Sequence, residues 1–239
     1  MSAPKHMFEK KADMTAGIWL LSYDIAAADR DQYVDWFHRY HVPEKLARPG
    51  YLWAAHFEAP PASGSSDLCR YIAMFGSDST RVFLDPSPAQ LKLTQSDATR
   101  AMMALRQNPS SAILAHEWSW QTTGDTNADL ATSASAVAMN AREIYILTIE
   151  AGAHDEAVGS LCAQKLTPEF AAKKAAIACH KMTNVIGGPR HIMLFEVTDV
   201  SPAGDGSDQA LVPVDLSALT DLGKAVQLET RYGQRIWPS

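Results

Sequence analysis

The sequence predicts an α+β fold: two ferredoxin-like (βαββαβ) repeats whose antiparallel sheets pack into an α/β barrel. Three observations predict it. Both halves read strand, helix, strand, strand, helix, strand, which is the order of the split βαβ motif. The strands carry apolar residues on both faces, so each sheet needs a second partner besides its helices. Between the halves, "TTGDTNADLATSASAVAMN" (122–140) has no strand period and few large apolar side chains, and so reads as a linker. The expected units are residues 1–121, the linker 122–140, and residues 141–239.

In the first half "GIWLLSYDI" (17–25) is a β-rich run. Asp29, three residues before Gln32, forms a capping-box pattern that starts a helix at Arg30. Along that helix Tyr33, Trp36, Phe37 and Tyr40 fall on one arc at helical spacing, as expected of a core-facing stripe. Pro43 should kink or restart the helix, because its ring clashes with the carbonyl of Arg39. "YLWAAHFEA" (51–59) and "LCRYIAMFG" (68–76) read as a hairpin, followed by helical segments to residue 108 and a strand at 111–122. The second half gives strands at 143–151, 175–184, 190–199 and 229–237, with helices at 155–166, continuing past Pro168, and at 215–228. The paired glycines of "NVIGGPRH" (184–191) suit a hairpin turn and lack a phosphate-loop frame.

Composition narrows the function. With 46% hydrophobic and 20% charged residues the chain is an ordinary globular protein, and a net charge of -6 argues against nucleic-acid or anionic-membrane partners. No apolar run approaches the roughly 18 residues that span a bilayer, and the N-terminus lacks a signal-peptide core. Cys69, Cys162 and Cys179 are scattered and odd in number, which suits reduced thiols in a cytoplasmic protein. A homodimer is the default assembly.

Among the histidines, His41 stands at the rim of the aromatic arc beside the proline break, where an imidazole can enter a pocket and exchange protons. His38, near Asp31 and Asp35, should meet solvent. The pair His38-x-x-His41 lacks further ligands at familiar spacing, so no metal is expected. His56 and Tyr40 are expected to assist His41, and Trp53, His116, Trp118 and Trp120 could line a cavity for flat aromatic ligands. No serine-hydrolase elbow, zincin or dinucleotide motif occurs.

The run Tyr33-x-x-Trp36-Phe37-x-x-x-His41-x-Pro43, then Pro49-Gly50-Tyr51 and "AAHFEA" (54–59), resembles the signature of dimeric α/β-barrel proteins of the EthD and antibiotic-biosynthesis-monooxygenase kind. Tyr40 stands where that signature has a glutamate. The resemblance implies a hydrophobic barrel pocket for a small aromatic or polyketide-like substrate, with His41, Tyr40 and His56 acting chemically and Tyr33, Trp36 and Phe37 lining the site. It implies cofactor-independent chemistry: an isomerase, cyclase, dehydratase, lyase or monooxygenase. The alternatives are a haem-binding tandem barrel, with His180 or His191 as axial ligand, and a non-catalytic ligand-binding or stress-response barrel.

Overall fold

The structure, a computed structural model, describes residues 16–60, 67–122, 141–198 and 213–238. Most of the expected linker therefore lies outside the described residues. Eight strands form one closed barrel: β1 (Gly17–Ala26), β2 (Tyr51–Ala59), β3 (Leu68–Ser77), β4 (Gln107–Gln121), β5 (Glu143–Glu150), β6 (Ala176–Asn184), β7 (His191–Val197) and β8 (Gln227–Trp237). Around the barrel they run β1-β3-β2-β8-β5-β7-β6-β4, and every neighbouring pair is antiparallel.

The two sheets thus join edge to edge through β4–β6 and β2–β8, rather than face to face as the apolar strands suggested. Closure satisfies the same requirement differently. The second dry face becomes the barrel interior, and the edge strands find partners. Ile18, Leu20, Ala55, Phe57, Ile72, Met74, Leu114, Ile144, Ile146, Met182, Ile192 and Leu194 fill it. Two close approaches require glycine: a Cβ at Gly233 would stand 2.8 Å from that of Phe57, and one at Gly76 would meet the Trp53 ring at 2.0 Å.

The outer faces carry the helices. In the first half α1 (Arg30–Trp36) runs through a π-helical turn (Phe37–His41) into α2 (Val42–Leu46). In the second half α5 (Asp155–Leu161) runs through a π-helical turn (Cys162–Leu166) into α6 (Thr167–Ala171). Between them lie α3 (Pro88–Leu93) and α4 (Asp97–Met103), and after them the single turn of α7 (Ser217–Thr220).

Three local expectations are corrected here. The α1 start at Arg30 is as expected, but Asp29 makes no side-chain cap and belongs to a 3-10 turn. Pro43 does not break the helix: the Val42 amide bonds the carbonyl of Phe37, five residues back, and this wider turn accommodates the ring. The extra residue in that turn shifts the helical phase, so Tyr40 is 65% exposed and His41 takes its place inside. A bulge between Tyr51 and Trp53 likewise turns Leu52 outward and puts Tyr51 on the helix side with Ala54.

Candidate functional site

The layer between the first-half sheet and α1–α2 gathers most of the predicted residues. Tyr33 and Phe37 are fully buried, stacked on one another at 5.9 Å, and pack on Tyr23 of β1. His56 projects from β2 into the same layer, 4.5 Å from the Phe37 ring. It is the centre of a short chain: Tyr23 Oη lies 2.9 Å from His56 Nε2, and His56 Nδ1 lies 2.9 Å from His38 Nε2. Burial pushes the Tyr23 phenol well above its ordinary pKa, so it keeps its proton, and the His56 tautomer sets the direction in which the chain donates. Burial, then His38 and Arg106, hold the His56 pKa well below that of a free imidazole.

His38 therefore does not stand free in solvent. It is half-buried, bonded to His56, and stacked on Trp237, which the last strand of the second half supplies. Arg106, just beyond α4, lies 4.0 Å from the Tyr23 ring and donates through Nε to the Tyr33 hydroxyl at 2.6 Å.

His41 lies on the other side of Phe37, with its ring against Trp36 (4.8 Å) and Phe37 (5.4 Å). It borders a cavity of about 220 Å³ together with Glu44, Lys45, Arg48, Leu91 and Thr99. That cavity is largely polar, unlike the dry chamber the aromatic run suggested, because the aromatics pack on one another instead of lining it. Burial, followed by Arg106, Lys45 and Arg48, depresses the His41 pKa to about 2, so the imidazole is neutral at any physiological pH. Its Nδ1 is buried and has no hydrogen-bond partner among the described residues.

Four residues on, and so on the same helix face, Lys45 enters the same cavity. It is only 4% exposed and makes no hydrogen bond or ion pair with any described residue; the nearest aromatic contact is the Trp19 ring at 5.5 Å. Burial and then Arg48 lower its pKa to about 8. Sequence pattern does not single out Lys45, since a helical lysine ordinarily meets solvent; its i+4 spacing from His41 is the available signal.

The other expected residues lie elsewhere. Tyr40 is exposed and apart from the histidines. Trp53 covers Gly76 at the barrel interior, while Trp118 and Trp120 pack on the helix layer of the second half. His116 joins a buried chain inside the barrel that the sequence does not disclose. Its Nε2 lies 2.6 Å from Ser119 Oγ, Ser119 Oγ 2.6 Å from His180 Nδ1, and His180 Nε2 2.8 Å from Glu196 Oε1. Both ring nitrogens of His180 are thus occupied. The second-half layer is filled by fully buried Cys162, Leu166, Phe170 and Phe195, and His191 is bonded to Asp155. These residues do not fit a haem.

Comparison with known proteins bears on the fold. No protein-family model and no curated protein matches the chain. Among solved structures it is similar to a provisionally named monooxygenase from Fusobacterium nucleatum subsp. nucleatum, with TM-score 0.56, 10% identity, and 93% of each chain covered. It is similar to an anthrone oxidase-like protein, with TM-score 0.53, 10% identity, and 94% of this chain and 92% of the other covered. A provisionally named chlorite dismutase gives TM-score 0.50 at 12% identity over 93% and 95%. These likenesses show a shared α+β barrel fold, and a fold by itself hosts many chemistries. Among the described residues no helix is long and apolar enough to cross a membrane.

Proposed function

We propose that this protein is a small-molecule enzyme that moves a proton beside a carbonyl group, without an organic cofactor, in the cavity bordered by His41 and Lys45. The observation that carries this reading is Lys45: a buried amine that makes no ion pair with any described residue, facing a cavity next to a neutral imidazole. A general base or acid works best when its pKa lies near the working pH, and about 8 is close to neutrality. His41, by contrast, is too weak a base to take a proton at pH 7. Its part is to hold a substrate oxygen or nitrogen through an uncharged ring. Negative charge developing on a carbonyl oxygen is favoured by the Arg48 and Arg106 guanidiniums, whose fields already reach His41. Isomerisation, cyclisation, dehydration and lyase reactions share this step. A cavity of about 220 Å³ with hydroxyl and charged walls suits a small polar carbonyl compound better than a polyketide.

The architecture supports a second part of the proposal, that residues 1–121 and 141–239 are tandem ferredoxin-like repeats. The order β4-β1-β3-β2 in the first half returns as β8-β5-β7-β6 in the second, and each half carries a π-helical turn at the same place.

The test needs no knowledge of the whole reaction. Small ketones and oxo acids are incubated with the protein in D2O, and loss of the proton next to the carbonyl is followed by NMR. Enzyme-dependent exchange is expected to rise through pH 8 and to fall about 100-fold or more in Lys45→Met. Equal exchange in the variant refutes the assignment.

A further inference from the structure

A lysine buried without a counter-ion poses a question of charge. Lys45 sits on α2, with His41 one turn before it, Glu44 beside it on the same element and Arg48 just beyond its end. From β1 it faces the Trp19 ring, and from beyond α4 it feels Arg106. Across the cavity stand Thr94, Gln95, Ser96 and Thr99, none of which carries charge. Among the described residues Glu44 is the one carboxylate bordering the cavity, and it is engaged by Arg48 at 3.2 Å. Burial and the Arg48 guanidinium outweigh the pull of Glu44 and bring the amine to a pKa of about 8, so about a tenth of it is neutral at pH 7. A neutral amine needs no counter-ion, and it is a nucleophile.

We infer that Lys45 forms an imine with its substrate, a small aldehyde or ketone that enters the His41 cavity. This rests on the reading that the cavity is the substrate site, and it goes further in making the contact covalent. The Nζ lone pair forms the C–N bond while the carbonyl π pair moves to oxygen. Proton transfer from nitrogen to oxygen gives the carbinolamine; a second proton, taken up from solvent, lets its hydroxyl leave as water as the C–O bond breaks and the nitrogen lone pair closes to a C=N⁺ iminium. No oxidant or reductant is consumed. The iminium withdraws electrons from the neighbouring carbon and acidifies its C–H bond, which is how a proton there can move without a metal or organic cofactor. Thr99 suits such a site: its hydroxyl oxygen accepts from Ser96, which leaves its own proton for a substrate oxygen.

The test uses the full-length protein at pH 7 with glyoxylate and sodium cyanoborohydride, whose hydride reduces the iminium to a stable carboxymethyl-lysine. Peptide mass spectrometry then compares the labelling rate of Lys45 with those of the other lysines. Amines of pKa about 8 and 10.5 differ at pH 7 by a few hundred-fold in the neutral fraction. Lys45 is expected to label about tenfold or more faster than surface lysines even after allowing for its lower access. Arg48→Gln, which leaves the amine in place but removes a cation that lowers its pKa, should slow that labelling several-fold. If Lys45 labels no faster than the surface lysines while deuterium exchange still depends on it, the imine is overturned and the non-covalent proton transfer stands. If neither labelling nor exchange depends on Lys45, both readings fall.

Discussion

Replacing His41 by leucine should make the protein more resistant to acid. The native imidazole is 5% exposed with its pKa lowered from 6.5 to about 2, chiefly by burial. Above pH 6.5 neither the folded nor the unfolded chain holds a proton on this ring, and His41 adds nothing to the pH dependence of stability. Below 6.5 the unfolded chain binds the proton and the native chain refuses it, so stability falls as the pH drops towards 2. Each pH unit is about 1.4 kcal/mol, so two units below 6.5, at pH 4.5, His41 alone removes about 2.7 kcal/mol. Leucine has no such proton, and it is the residue at the corresponding place in the second half, Leu166, where it is fully buried. Equilibrium urea unfolding of both proteins at pH 7.5 and 4.5 yields the double difference, in which all other groups cancel. The variant should lose about 2.7 kcal/mol less than the parent between the two pH values. A loss equal in both proteins to within about 0.5 kcal/mol would show that His41 is not held neutral, and the argument for a buried, cation-flanked imidazole would fail.

Two further predictions concern the barrel. Gly76→Ala drives a Cβ into the Trp53 ring, which must swing out, and should lower stability by about 1–3 kcal/mol in urea titration; an unchanged midpoint would mean that Trp53 does not cover that strand. Ser119→Ala leaves buried nitrogens of His116 and His180 without their shared partner, so unfolding free energy should drop by about 1–3 kcal/mol. A change under about 0.5 kcal/mol would indicate that water or a shifted ring replaces the hydroxyl.

Much of this fold is legible in the sequence because it rests on local pattern. The strands of both halves, the hairpin turn at 184–191 and the aromatic face of α1 come from alternation, turn residues and helical spacing. The features that escape depend on tertiary closure. Strands with two apolar faces are equally compatible with stacked sheets and with a closed barrel, and only the pairings of β4 with β6 and β2 with β8 decide. The expected helix at 215–228 ends at Thr220, and Gly223, at φ +108°, turns the chain before β8 opens at Gln227. At the site, His41 and His56 are marked by their proximity to the aromatic run. His38 is misplaced by sequence because its partner, His56, lies on another element, and Lys45 is missed because no sequence pattern marks a lysine as buried.

The reason a cavity exists beside His41 is visible in the other half of the molecule. Val42-Pro43-Glu44 after the first π-helical turn corresponds to Thr167-Pro168-Glu169 after the second, and the pair Glu44–Arg48 to the pair Glu169–Lys173. In that alignment His41 matches Leu166 and Lys45 matches Phe170, both fully buried in the second half. Phe170 packs edge-on against Trp120 and tilted against Phe195, closing the layer with hydrocarbon. The first half has the same helix, the same wide turn and the same proline, but at these two positions it carries nitrogen in place of carbon and leaves about 220 Å³ open. Stability alone favours the second arrangement, since apolar filling is worth more than an unpaired amine and an orphaned imidazole nitrogen. The first half gives up that stability at His41 and Lys45 together, on one face of one helix, and it is this localised loss on which the proposed site rests.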